Sequence, residues 1–175
     1  MPPGKRADFA AGPQIFLTLA HTALRTLVQT FQVEAPSLQE IAQQIPRADN
    51  SASDAAANLA LDSGSFVQVD ANEVATWVHA LVQDVLHPTC LLVSFDGAAR
   101  GNPGPGASGV SAWWGSYDSN GFHAKGMLWQ RGVRLGTNTN NVAEAHGLAT
   151  CLKMMVHFFY WVIENLSQLA AHPVR

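Results

Sequence analysis

The run Phe95-Asp96-Gly97-Ala98-Ala99-Arg100-Gly101-Asn102-Pro103-Gly104-Pro105-Gly106 constrains this chain more than any other segment. It follows Leu91-Leu92-Val93-Ser94, so an apolar strand delivers one carboxylate to its end. Glycine and proline then build a tight turn that few other residues could make. On such a strand Ser94 and Asp96 share one face, and Val93 and Phe95 share the other. No Gly-Lys-Ser/Thr follows the loop, so it is not a phosphate-cradling nucleotide loop. A second strand follows it rather than a helix, so it is not a dinucleotide-binding turn either.

Downstream, Ala107–Trp114 predicts a second strand and Gly121–Val133 a third, with Phe122, Met127 and Trp129 available for packing. Together they predict an antiparallel meander. Thr139 is placed to cap a helix from Asn140 to about His157. Ala145, Leu148, Ala149, Leu152 and Met155 recur there at helical spacing, and Glu144 falls in the second turn. The aromatic and β-branched run 158–169 predicts a fully buried parallel strand after that helix.

Upstream, Asn72 predicts the cap of an amphipathic helix that carries Val74, Trp77, Val78, Leu81, Val82, Val85 and Leu86 on one face and stops at Pro88. That stripe suits core packing, or the docking of a protein partner. Residues 15–31 also carry a helical apolar stripe. Leu38, Ile41, Ala42 and Ile45 fit a helix by spacing, while Pro46 would stop a strand or a helix alike.

At 175 residues the chain is long enough for one core. Its 47% apolar and 13% charged content exclude a disordered tail protein. Cys90 and Cys151 have no CxxC partner and predict free thiols in a reducing, intracellular compartment, cytoplasm or nucleus. No stretch predicts a membrane span, since Cys151–Ile163 is short and contains Lys153 and His157. Lys5 and Arg6 ahead of Ile15–Leu19 do not make a signal peptide beside Asp8 and an early Pro-Gly. Residues 1–90 hold four Lys/Arg against nine Asp/Glu, and residues 91–175 hold six against four. The basic side chains Arg100, Lys125, Arg131, Arg134 and Lys153 thus follow the glycine loop, a distribution that favours a nucleic-acid face there.

The strand-end Asp96, the Gly-Asn-Pro-Gly turn and the later Thr139-Asn140-Asn141-Val142-Ala143-Glu144 together resemble ribonuclease H of type 1. Upstream, the run from Ile45-Pro46-Arg47 through Asn50, Asp54 and Asn58 resembles the C-terminal signature of the same family. The resemblance implies an α/β fold: an RNase H-like mixed five-stranded sheet flanked by helices. Here the pieces stand in circularly permuted or tandem-fragment order. Residues 1–70 resemble the end of such a domain, 71–89 form a linker with the amphipathic helix, and 90–175 resemble its beginning. Strand 41–46 would then lie at one sheet edge, with 160–166 between it and the strand that ends at Asp96. A domain-swapped dimer would make the same contacts between two chains.

The resemblance further implies cleavage of the RNA strand of RNA–DNA hybrids through two Mg2+ ions. Asp96, Glu144 and Asp54 match the metal-binding catalytic carboxylates. Asn102, Thr139, Asn140 and Asn141 match positions that contact the substrate backbone. The fourth carboxylate of the family would sit on strand 160–166, where this chain has Leu166, with Glu164 two residues away. That departure predicts weak or absent cleavage. The alternatives are a non-catalytic nucleic-acid-binding remnant of a tandem or retroelement-like nuclease, or a protein-interaction module.

Overall fold

The computed structural model describes residues 45, 49–83, 90–119 and 121–171. Its elements are α1 (Ser51–Ser63), β1 (Phe66–Val69), α2 (Ala71–Gln83), β2 (Cys90–Ala99), β3 (Gly104–Asp118), β4 (Gly121–Asn138) and α3 (Asn140–Ala171). The meander expected after Cys90 is present as β2, β3 and β4. Asp96 pairs with Gly109, and Ser94 with Ser111. Sheet order is β1-β4-β3-β2, and every pairing is antiparallel.

Two helices cover one face and one helix covers the other. On the first face Val74, Trp77 and Val78 of α2 pack with Val110, Trp114 and Trp129 of the sheet. Cys151, Phe158 and Val162 of α3 complete this core. Burial pushes the Cys151 thiol up to about 12, so it stays an inert packing group. The helix expected within the linker is therefore part of the main core. Its cap is Asp70 rather than Asn72: Asp70 Oδ1 accepts the backbone N–H of both Asn72 and Glu73 at 3.0 Å. An ionised carboxylate just ahead of the first turn satisfies two orphan donors and suits the helix dipole.

The opposite face is closed by α1. Its buried positions are Ser53, Ala56, Ala57, Ala60 and Leu61, nearly all small. Small residues let its backbone descend onto glycines of the sheet. A Cβ at Gly109 would run into the Ser53 carbonyl oxygen and the Ala57 nitrogen, and one at Gly132 would come within 2.6 Å of the Ala56 carbonyl oxygen. Three serine hydroxyls meet beneath the same turn: Ser53 lies 2.7 Å from Ser94 and 3.1 Å from Ser111, and Ser94 lies 2.9 Å from Ser111. Gly64 ends the helix at φ 94°, a conformation that costs a side-chain-bearing residue energy, and its N–H bonds to the Ala60 carbonyl.

Three expectations change. The parallel strand over 158–169 does not form, because those residues continue α3 without a break to Ala171. No glycine or proline occurs between 148 and 172 to stop the helix. Cys151, Phe158 and Val162 fall on one helical stripe, and Phe158 stacks on Trp77 at 5.5 Å. This packing outweighs the strand preference of aromatic and β-branched residues. Leu166 and Glu164 accordingly lie on a helix, not at a strand end. The four described strands form an antiparallel sheet, without the parallel member expected over 160–166. Its fourth member, β1, is a short strand that the sequence did not announce. The expected helix 15–31 and strand 41–46 lie outside the described residues, apart from Ile45, which is in no strand.

Gly109→Ala tests the close seating of α1. The added methyl cannot be absorbed by a flexible side chain, because its neighbours are helix backbone. We expect a loss of about 3 kcal/mol in urea unfolding, at the upper end of overpacking costs.

Candidate nucleic-acid interface

Asp96 is set by strand alternation. Ser94 reaches Ser53 on α1, so Asp96, two residues on, projects from the same face. Its cross-strand partner Gly109 lies directly under the Ser53–Ala57 turn. Asp54 stands on that turn. Asn50 and Asp54 are four residues apart on one stripe of α1, joined by a backbone bond from the Asp54 N–H to the Asn50 carbonyl at 3.1 Å. The Asn50 amide Nδ2 reaches β2, donating to the Phe95 carbonyl at 2.9 Å. The turn that carries Asp54 is thereby tied to β2 one residue before Asp96. Both carboxylates are half-buried. Asp96 Oδ1 accepts the N–H of Gly97 at 2.8 Å.

The bond to Phe95 fixes the Asn50 amide, since only Nδ2 can donate to a carbonyl. Asn50 Oδ1 is left buried and accepts no hydrogen bond. Sequence reasoning singled out Asp54 on this helix and missed Asn50.

Glu144 comes from the other face. A Cβ at Gly97 would run into the Glu144 backbone nitrogen, and one at Gly147 would lie 3.0 Å from the Asp96 carbonyl oxygen. Glycine on both partners thus lets the start of α3 press against β2 beside Asp96. The Glu144 side chain is exposed, and its Oε1 accepts from Asn140 Nδ2 at 2.8 Å. Asp96 and α1 lie on one face of β2, and the backbone of Glu144 lies on the other. Among the described residues no three His, Cys, Asp or Glu side chains converge to hold a metal ion.

The four expected backbone-contacting residues do assemble. Thr139 caps α3: its carbonyl accepts the Ala143 N–H at 3.1 Å, and its Oγ1 accepts the Val142 N–H at 3.4 Å. Asn102, from the glycine loop, accepts the Asn140 N–H through Oδ1 at 3.4 Å. Loop and helix start therefore form one continuous polar surface with exposed Asn102 and Asn141. Arg100 in the loop pairs with Asp62 of α1, both of them exposed.

His146, one turn below the start of α3, was not anticipated. It points to the sheet, where its Nδ1 lies 2.8 Å from Ser108 Oγ and 3.3 Å from Thr150 Oγ1. Burial, and secondarily the Arg131 charge, hold its pKa below the ordinary histidine value of 6.5. The neutral ring then shares a hydrogen bond with the Ser108 hydroxyl through Nδ1, the tautomer setting which of the two donates. Unfolding restores the ordinary affinity for protons, so the unfolded chain binds more of them between the lowered pKa and 6.5. Stability is full above pH 6.5 and falls as the pH drops through that window. We expect thermal melts to show the fall, and His146→Gln to flatten it.

No protein-family model matches the chain, and no curated protein matches it. Among solved structures it is similar to LC11-RNase H1, isolated from compost by a metagenomic approach. Against that protein in complex with RNA/DNA hybrid, identity is 24% over 48% of this chain and 65% of the other, with a TM-score of 0.31. Against a second structure of LC11-RNase H1, identity is 31% over 42% of this chain and 47% of the other, with a TM-score of 0.30. The chain thus spans less than two thirds of the length of either.

Proposed function

We propose that this chain is an RNase H type 1-like module that binds RNA–DNA hybrid. The observation that carries the reading is the contact between Asn102 and Asn140, which joins the glycine loop to the start of α3 beside Asp96. A helix start offers N–H groups and a positive dipole end to a phosphate. Neutral amides and a hydroxyl suit a 2′-hydroxyl, which both donates and accepts and so marks RNA. The segment order is that of a permuted domain. The packing of α1 on β2, β3 and β4 supports this order over a tandem-fragment one.

Mg2+ is the implied cofactor, and the residues suit it in part. Asp96 and Asp54 are hard carboxylate donors on one side of β2, and the orphaned Asn50 Oδ1 beside them lacks a positive partner. Two carboxylates, an amide oxygen and water suit one magnesium ion. The ion would supply Lewis acidity and an activated water. Asp96 and Asp54 would hold it, and Asn50 would fix the spacing of α1 against β2. Glu144, exposed and tied to Asn140, would complete the site only by moving around the β2 edge. Among the described residues a second ion has no ready donor set. The strand once expected to carry a further carboxylate is helix, so a substitution at Leu166 would not restore a ligand there.

Fluorescence anisotropy with labelled hybrid and matched DNA duplex tests binding. We expect preference for the hybrid and a log–log salt slope of only a few units, given the sparse basic residues. Asn102→Ala should cost about 1 kcal/mol of binding. Indifference to both salt and sugar chemistry would remove the substrate assignment.

Cleavage follows the donor set. With Mg2+ we expect wild type to cut hybrid very slowly or not at all, because one misplaced group can cost about a hundredfold. Rapid cutting abolished by Glu144→Gln would show that the third carboxylate closes readily.

A further inference from the structure

Three hydroxyls, one each from α1, β2 and β3, meet under the turn that carries Asp54. Ser53 and Ser111 are wholly buried, and Ser94 is 8% exposed. The distances of 2.7, 2.9 and 3.1 Å let each hydroxyl donate once and accept once around a closed ring. Trp113 Nε1 adds a donor to Ser111 Oγ at 3.2 Å. The rest of the buried α1 face is alanine and leucine, so packing alone did not call for hydroxyls at this turn. Alanine against glycine can slide, because dispersion has little directional preference. A hydroxyl ring has one register, because hydrogen bonds weaken steeply off-line.

We propose that the Ser53–Ser94–Ser111 ring is a positioning device that sets Asp54 against Asp96. Ser53 immediately precedes Asp54 in sequence. Ser94 stands two residues before Asp96 on the same strand face, and Ser111 stands two residues after Gly109, the partner of Asp96. Each hydroxyl is thus joined by a short, stiff length of backbone to the site. Any rotation or slide of α1 that moved Asp54 relative to Asp96 would break the ring. The three serines touch no substrate and act through the two carboxylates. This inference rests on the reading of Asp96 and Asp54 as cation ligands.

Calorimetric titration of the full chain with Mg2+ tests it, paired with thermal melts in metal-free buffer. Ser53→Ala should weaken Mg2+ binding about tenfold, as loss of groups that orient metal ligands does. Ser94→Ala and Ser111→Ala break the same ring from the sheet side and should weaken it similarly. The Ser53→Ala/Ser94→Ala double variant should add little, because the ring acts as one unit. Val78→Ala supplies the control: it empties a wholly buried position on the opposite face of the sheet. It should lower the melting temperature and leave Mg2+ affinity within about twofold, as expected of distant, independent sites. Equal weakening by Val78→Ala would reduce the ring to general stability and overturn the inference. Wild-type binding untouched by any serine variant would overturn it too, while leaving the ligand assignment standing. Absence of wild-type binding that Asp96→Asn removes would overturn both.

Discussion

The contact between α1 and the glycines of β3 and β4 seats the helix that carries Asp54 on the sheet. Everything after Cys90 could form its meander and helix from neighbouring segments. Asp54 is seated on that body where Ser53 and Ala57 meet Gly109 backbone to backbone. Burial of alanine methyls gives modest hydrophobic stabilisation per residue. Close approach compensates through dispersion across a surface with few voids. The same closeness makes the interface intolerant: a single methyl at Gly109 meets main chain, which has nowhere to go. On the other face of β2 the pairing of Gly97 with Glu144 and of Gly147 with Asp96 works the same way. β2 at Asp96 is therefore gripped from both sides by helices that rest on missing side chains.

The parts legible in the sequence were those signalled locally. The end of β2, the loop, the β3–β4 hairpin and the Thr139 cap are each specified by residues within a few positions of one another. Their structural counterparts are in place, with β3 and β4 longer than expected. The helix at 71–83 was legible from its stripe, but its cap was not, because Asp70 and Asn72 are both good capping residues. The segment 158–169 was misleading for a physical reason. Phenylalanine, tyrosine, tryptophan, valine and isoleucine favour strands on average. Here a helical spacing hidden in the same letters meets Trp77 on α2, a partner some 80 residues upstream.

The site divides along the same line. Asp96, Asn102, Thr139 and Asn140 announce themselves through turn and cap chemistry. Asn50, Ser53 and His146 do not, since their partners are remote in sequence: Phe95 for Asn50, Ser94 and Ser111 for Ser53, Ser108 for His146. A lone serine before an aspartate has no sequence signature until the strand it touches is known. The expected third carboxylate shows the converse. Glu144 occupies the anticipated helix turn, and its exposed side chain is tied to Asn140, a bond that helix position alone does not specify.

Chain connectivity gives the hydroxyl ring a consequence for how the molecule assembles. The bond between Ser94 and Ser111 spans 17 residues and closes with the hairpin that contains it. The bonds from Ser53 span 41 and 58. Larger loops cost more entropy to close, though only logarithmically so. The sheet can therefore exist before α1 arrives, and two serines of the ring then wait in place for the third. Loss of the two Ser53 bonds would free α1 from the ring and leave the Ser94–Ser111 bond of the hairpin closed. In that state β2 would still present Asp96, but without Asp54 beside it. Closure of the ring from α1 and the seating of the Ser53–Asp54 turn against β2 are the same event.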